Sequence, residues 1–265
     1  MQEGKGIKYK KNIKCNTDTY SSRREHGNKI RLNRFIANSG VCSRRKADEL
    51  ITKGLITVNG KVVRELGSKV KIDDDIRYRN RKLLPEKKVY ILLNKPKGYV
   101  TTTSDPHAEK TVMQLVGSKP GVRLWPAGRL DKNTTGVMLL TNDGELAKRL
   151  THPSFEKKKV YHVYLNKYVT KSDLEAMVNG IDIGGKTVSA DAIAYADNND
   201  KSQVGIEIHS GENRIIKRMF ERLGYKVLKL DRVYFAGLTK KNLPRGEWRY
   251  LTQKEIIMLK RGAYN

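Results

Sequence analysis

Residues 125–141 read Trp125-Pro126-Ala127-Gly128-Arg129-Leu130-Asp131-Lys132-Asn133-Thr134-Thr135-Gly136-Val137-Met138-Leu139-Leu140-Thr141. Val137 to Thr141 is a short apolar run bounded by turn signals, which predicts a buried strand. Asn142-Asp143-Gly144 ends it, and Glu145 to Leu150 begins a helix. Between the two apolar segments lies the polar turn Lys132 to Gly136, preceded by one carboxylate, Asp131, in a loop short enough to hold it rigidly. Arg129 and Lys132 flank it, and neighbouring cations favour the ionised form that a nucleophile or base requires. An aspartate here also serves as a turn cap, and physics alone leaves the two roles even.

Outward from this loop, Val89 to Leu93 is a second continuous apolar run, and Asn94-Lys95-Pro96-Lys97-Gly98 turns into a β-rich stretch, Tyr99 to Thr103. Lys159 to Leu165 alternates as a strand, Ser172 to Val178 is helical, and Val204 to His209 and Lys226 to Tyr234 are further strands. Asn213 to Leu223 predicts an amphipathic helix, with Ile215, Ile216, Met219, Phe220 and Leu223 apolar and Arg214, Lys217, Arg218 and Arg222 basic. Strands and helices mix without a regular βαβ repeat, so the expected class is α+β with a largely antiparallel sheet. No glycine-rich nucleotide loop, serine elbow or paired-histidine metal motif is present, which leaves kinase, dehydrogenase, hydrolase and zinc-enzyme chemistry unsupported.

The 265 residues hold 54 Lys plus Arg against 28 Asp plus Glu, a net charge of +26. The first 88 positions are more than twice as basic per residue as the remainder, an asymmetry that points to a nucleic-acid-binding module joined to something else. A solvated, highly charged surface is the plainer alternative. Residues 1–29 have almost no periodic apolar residues and are expected to be a disordered basic tail. No run approaches the roughly 18 apolar residues of a membrane span. The basic N-terminus has no apolar segment behind it, unlike a secretory signal, so the cytoplasm is the expected compartment. Cys15 and Cys42 are too few and too distant for a disulfide framework, the five histidines lack ligand spacing, and neither metal nor cofactor is expected.

Within residues 30–80, Leu32, Phe35 and Ile36 mark a short helix closed by Ser39-Gly40. A second helix follows Ser43, with Ala47, Leu50 and Ile51 apolar and Arg44-Arg45-Lys46 in its first turn. Three cations at the positive end of a helix dipole are unfavourable unless an external polyanion completes them, although a solvated helix start is the plainer reading. Asn59-Gly60 between Leu55–Val58 and Lys61–Val63 is a two-residue hairpin signal. A further strand pair is expected at Lys69 to Ile72 and Ile76 to Tyr78, joined by Asp73-Asp74-Asp75. Two helices followed by short strands, with Ser-Arg-Arg opening the second helix, resemble the S4 RNA-binding domain. That resemblance implies RNA as ligand, with Arg44, Arg45 and Lys46 facing it. Residues 81–88 form the expected linker to a catalytic domain at 89–265.

The Gly128-Arg129-Leu130-Asp131 motif, followed by Thr-Thr-Gly, resembles the catalytic loop of RNA pseudouridine synthases of the RsuA/RluB/RluE/RluF family. Asn94 to Gly98 resembles that family's first motif and Lys159-Val160-Tyr161 its Lys-x-Tyr strand. Asn213 to Met219, with Leu243-Pro244-Arg245-Gly246-Glu247-Trp248, resembles its C-terminal motif. The resemblance implies Asp131 as the catalytic nucleophile, Tyr161 packed on the target base and Lys217 as the basic partner. Relatives usually carry arginine at the position of Lys217, so the sequence leaves that role between Lys217 and Arg218. Arg129, Lys159, Arg214 and Arg218 are expected to contact substrate RNA, with pairing to Asp131 as the alternative role for Arg129. His162 faces away from Tyr161 and is expected to be structural or at the surface.

Asp143-Gly144-Glu145-Leu146 and Leu243 to Gly246 look most like the RluB branch of the family, which implies large-subunit 23S rRNA as substrate. Small-subunit 16S rRNA, and a non-catalytic RNA-binding assembly factor, are the alternatives. A monomer without cofactor, metal or membrane contact is expected.

Overall fold

The computed structural model describes residues 29–103, 110–118 and 121–262; the expected tail lies outside these residues apart from Lys29. They divide into two compact units, 29–35 with 44–83 and 36–43 with 84–262.

The first unit holds β1 (Ile30–Arg31), the first half of α1 (Leu32–Asn38), α2 (Arg44–Thr52), β2 (Ile56–Val58), β3 (Lys61–Val62), β4 (Lys69–Val70), β5 (Ile76–Tyr78) and β6 (Arg81–Lys82). α2 buries Ala47, Leu50 and Ile51, the i, i+3, i+4 stripe of its sequence. Asn59 and Gly60 both have positive φ (49° and 79°), as the two-residue turn between β2 and β3 requires. The strand pair expected at 69–72 and 76–78 does not form. β4 pairs with β1, whereas β5 pairs with β2 and β6. The acidic link is drawn to the other turn instead. Asp74 accepts from Asn59 Nδ2 (3.1 Å) and Lys71 N (2.8 Å), and Asn59 N donates to the Asp75 carbonyl (2.9 Å). β6 falls inside the stretch expected as linker, because Arg77 and Tyr78 find backbone partners in Lys82 and Arg81.

The second unit contains β7 (Tyr90–Lys95), α3 (Val112–Val116), β8 (Trp125–Ala127), β9 (Thr135–Thr141), α4 (Gly144–Thr151), β10 (Lys159–Leu165) and α5 (Lys171–Asn179). β11 (Ile181–Asp182), β12 (Thr187–Val188), β13 (Ala192–Tyr195), β14 (Gln203–Ile208), α6 (Ile215–Arg222), β15 (Val227–Phe235), β16 (Leu238–Thr239), β17 (Trp248–Tyr250) and α7 (Gln253–Arg261) follow. Nine strands form one sheet in the order β13-β14-β10-β15-β9-β7-β17, with β16 on β15 and β8 on β9. Every pairing is antiparallel except β15 with β9, which is the α+β arrangement expected.

β7 and β9 are apolar without alternation because both faces of the sheet are covered there. Ile91, Leu93, Met138 and Leu140 join the core beneath α3, α5 and α6, while Leu92, Leu139 and Val137 join the core beneath α4 and α7. β10 instead alternates, burying Tyr161, Val163 and Leu165 on the first of these faces.

The parallel contact of β9 with β15 aligns Gly136 with Arg232. Gly136 has φ +109°, and a Cβ there would lie 2.1 Å from the Arg232 carbonyl oxygen. Only glycine lets the two backbones approach this closely. Gly136→Ala is therefore expected to cost at least about 3 kcal/mol, a fall in Tm of roughly 6–12 °C. Thermal unfolding checks this, and an unchanged Tm would show that the sheet accommodates a side chain there.

Candidate active site

The loop from Leu130 to Thr134 connects to β9, and its backbone is held by side chains from the β7 end of the sheet. Lys95 closes β7 with no exposed surface. Its Nζ donates to the carbonyls of Asp131 (3.0 Å), Lys132 (3.2 Å), Thr134 (2.8 Å) and Pro96 (3.2 Å). Four acceptors share three N–H donors, and a charge-assisted bond is stronger than a neutral one. Burial pushes the Lys95 ammonium down to about 8, with Arg232 and Arg245 acting the same way and Asp131 opposing them, so it stays charged at neutral pH. Thr101 holds the preceding residue at both ends. Its hydroxyl donates to the Leu130 carbonyl (2.7 Å) and accepts from Leu130 N (3.2 Å). Gly98 N adds a bond to the Lys132 carbonyl (2.8 Å).

With the backbone fixed in this way, the Asp131 carboxylate stands 3.0 Å from Lys217 Nζ. Lys217 rides on α6, whose Ile215, Ile216, Met219 and Phe220 are all at most 4% exposed. Burial of four such side chains, each contributing about 1.5–3 kcal/mol, fixes the helix that carries it. The Asp131 side chain is 37% exposed and opens into a cavity, while Lys217, its side chain 18% exposed, stands behind it and outside the cavity lining. That cavity encloses about 550 Å³, large enough for a nucleotide, and Asp131, Arg129, Tyr161, Lys159, Arg214 and Arg232 line it. Tyr161 is 8% exposed, an aromatic wall held by β14 and β15 on either side of β10.

The other residues singled out in the sequence are placed differently from one another. Arg129 is exposed at the cavity, with no ion pair among the described residues. Lys159 lines the cavity, but its Nζ donates to the carbonyls of Lys157 (3.0 Å), His209 (2.5 Å) and Ser210 (3.2 Å). All three of its donors are thereby occupied, bracing the 209–210 wall. Arg214 precedes α6 in the left-handed region (φ 52°) with Glu221 3.4 Å away. Arg218 turns from Asp131 and donates to the Ile183 carbonyl (2.7 Å), so of the two candidates it is Lys217 that meets the carboxylate. Arg44, Arg45 and Lys46 are exposed at the start of α2 in the first unit, Lys46 paired with Glu49. His162, away from the cavity, bonds Gln203 and stacks on Tyr164.

Two contributors had no role assigned from sequence. One is Lys95, a lysine ending an apolar strand, which is the one signal that it is buried. The other is Arg232, 2% exposed at the cavity wall. Arg232 Nε donates to the Val137 carbonyl (2.8 Å), its guanidinium lies over the Phe235 ring, and its Nη2 has no hydrogen-bond partner. Its neighbour Asp231 accepts from Arg245 (2.8 Å) and Lys240, which hold its carboxyl below the usual range against the opposing effect of burial. Arg245 also donates to Asn94 Oδ1 (2.8 Å), and Asn94 Nδ2 donates to the Leu243 carbonyl (2.8 Å).

Lys95→Met would leave three loop carbonyls without their donor in a buried site. It is expected to cost about 3–5 kcal/mol and to lower the activity of the protein that remains folded. Chemical denaturation measures the first effect; a midpoint within error of the parent would mean that the loop is held by other contacts.

Residues 89–222 match the family model described as RNA pseudouridylate synthase, and residues 30–76 match the S4 domain. The chain is 41% identical over 233 residues to ribosomal large subunit pseudouridine synthase B of Bacillus subtilis (strain 168), covering 87% of this chain and 95% of that one. It is 36% identical to the dual-specificity RNA pseudouridine synthase RluF of Escherichia coli (strain K12), covering 87% of this chain and 78% of the relative. A crystal structure of a pseudouridylate synthase superimposes with a TM-score of 0.62 at 32% identity, covering 87% of this chain and 99% of that one. With an S4 domain ahead of the Asp131 cavity, the chain belongs to the RNA pseudouridylate synthase family.

Proposed function

We propose that this enzyme converts one uridine of large-subunit 23S rRNA to pseudouridine, with Asp131 as the group that attacks the nucleotide. The observation that carries this reading is the Asp131 side chain, paired with Lys217 at 3.0 Å and lining a cavity with an aromatic wall. In the reaction the C1′–N1 glycosidic bond breaks, a C1′–C5 bond forms, the C5 hydrogen leaves as a proton and N1 gains one. No electrons are exchanged with a second reactant. A carboxylate at the sugar has two routes, attack on C1′ or removal of a sugar proton. Lys217, 3.0 Å from the carboxylate, orients it for either.

The base leaves the RNA stack to reach the carboxylate, at a cost of a few kcal/mol. Stacking on Tyr161, about 1–3 kcal/mol, offsets part of that. Arg129, exposed beside Asp131, holds the extruded nucleotide, and Arg214 reaches the adjoining phosphates. Lys159 acts as a brace of the cavity wall. In the N-terminal module, Arg44, Arg45 and Lys46 present phosphate contacts at the α2 N-terminus. An rRNA substrate places the enzyme in the cytoplasm. The large-subunit assignment is supported by the B. subtilis relative, whose name specifies that subunit.

Incubation with 23S, 16S and precursor-particle rRNA, followed by pseudouridine mapping, tests the assignment. One modified position in 23S rRNA is expected. Modification of 16S rRNA alone would overturn the subunit, and none in any substrate would overturn the enzymatic reading. Lys217→Met is expected to lower turnover by about two orders of magnitude, with Lys217→Arg restoring most of it. Full activity of Lys217→Met in single-turnover assays would remove Lys217 from the site.

A further inference from the structure

The β5–β6 hairpin lies at and beyond residue 76, where the S4 match ends. It carries Arg77, Arg79, Arg81 and Lys82 within six residues, all exposed. Asp75 takes two of these cations, lying 2.8 Å from Arg77 Nε and 3.9 Å from Lys82 Nζ. Among the described residues, Arg79 and Arg81 have no carboxylate partner, so the turn end of the hairpin keeps its positive charge.

The backbone at this turn makes the charge harder to dismiss as surface decoration. Arg79 (φ 48°) and Asn80 (φ 64°) are both left-handed, as in a two-residue hairpin turn of the same kind as Asn59-Gly60 (φ 49° and 79°). Asn and Gly suit those positions, whereas an arginine Cβ crowds the backbone there. One turn of this small unit thus uses the favoured pair and the other sets an arginine in the disfavoured place. The Arg79 guanidinium lies 5.4 Å from the centre of the Tyr78 ring, and Tyr78 is held by its pairing with Ile56 and Arg81. Both cations are therefore presented on a paired, two-stranded support rather than on a free loop.

We propose that the Tyr78–Arg81 end of this hairpin is a second RNA contact of the N-terminal unit, with Arg79 and Arg81 binding backbone phosphates of a structured RNA. This rests on the reading of the chain as an enzyme of RNA. Arginine matches phosphate geometry with its planar fork of donors, and two unneutralised guanidinium groups complement a polyanion. Such contacts carry little sequence information and act by adding affinity and register.

The test is equilibrium binding of the full-length protein to a structured 23S rRNA transcript between 50 and ~200 mM KCl. One variant combines Arg79→Asn with Asn80→Gly, which installs the turn found at residues 59–60. A second is Arg81→Gln, and Arg81→Lys serves as its charge-retaining partner. The turn variant is expected to melt at or above the parent temperature yet bind less tightly. Together the two lesions weaken binding about tenfold and lower the salt slope by roughly 0.7–0.9 per arginine, with Arg81→Lys close to the parent. Should the turn variant lose stability, Arg81→Gln against Arg81→Lys still reads the contact. Parent-like affinity and slope in both variants would overturn the hairpin contact while leaving the RNA reading intact. Failure of the parent itself to bind the transcript would overturn the RNA reading, and this contact with it.

Discussion

The site depends on a single buried ammonium. Lys95 has no solvent contact, and its Nζ gathers the carbonyls of Asp131, Lys132 and Thr134 into one net. A loop of polar residues between two apolar segments would ordinarily sample many conformations. Here each fixed residue costs about 1–2 kcal/mol of backbone entropy. The bonds to a buried cation offset that cost and aim one carboxylate into the cavity. Since that cation has its charge at neutral pH, it also contributes to the field around Asp131, alongside Lys217.

Around this net, motifs far apart in the chain meet. Asn94 bonds the Leu243 carbonyl and accepts from Arg245, and Arg245 in turn clamps Asp231 on β15. Asp231 and Arg232 pair with Thr135 and Gly136 on β9, directly after the Asp131 loop. The Asn-Lys-Pro-Lys-Gly stretch, the Thr-Thr-Gly turn and the Leu-Pro-Arg-Gly stretch are thus three parts of one support. Their shared presence follows from geometry, because removing any one leaves a buried polar group of another without its partner. The one parallel strand pair of the sheet is where they join.

Much of this was legible in the sequence, for identifiable reasons. The apolar runs at 89–93 and 137–141 named the central strands, and the spacing in 213–223 put Lys217 outside the apolar face of α6. Asp131 stood out as a carboxylate in a short loop between strands. The pairing of β4 with β1 was not legible, since alternation within a strand does not name its distant partner. Nor was the task of Lys95: backbone carbonyls have no residue identity, so an acceptor set built from them leaves no motif. Lys159 looked like an RNA contact because it is a lysine in a strand motif, and only the three carbonyls around its Nζ identify it as a brace. α7 could have been predicted, because Thr252 and Glu255 form a capping box at the usual spacing.

The central claim is that the Asp131 carboxylate performs the isomerisation. Tritium release from rRNA labelled at uridine C5 tests it most directly, because forming the C1′–C5 bond expels that hydrogen. The account predicts release by the parent and none above background by Asp131→Ala, with both proteins binding the RNA comparably. Equal release by the two would contradict it, and would place the reacting group elsewhere in the cavity.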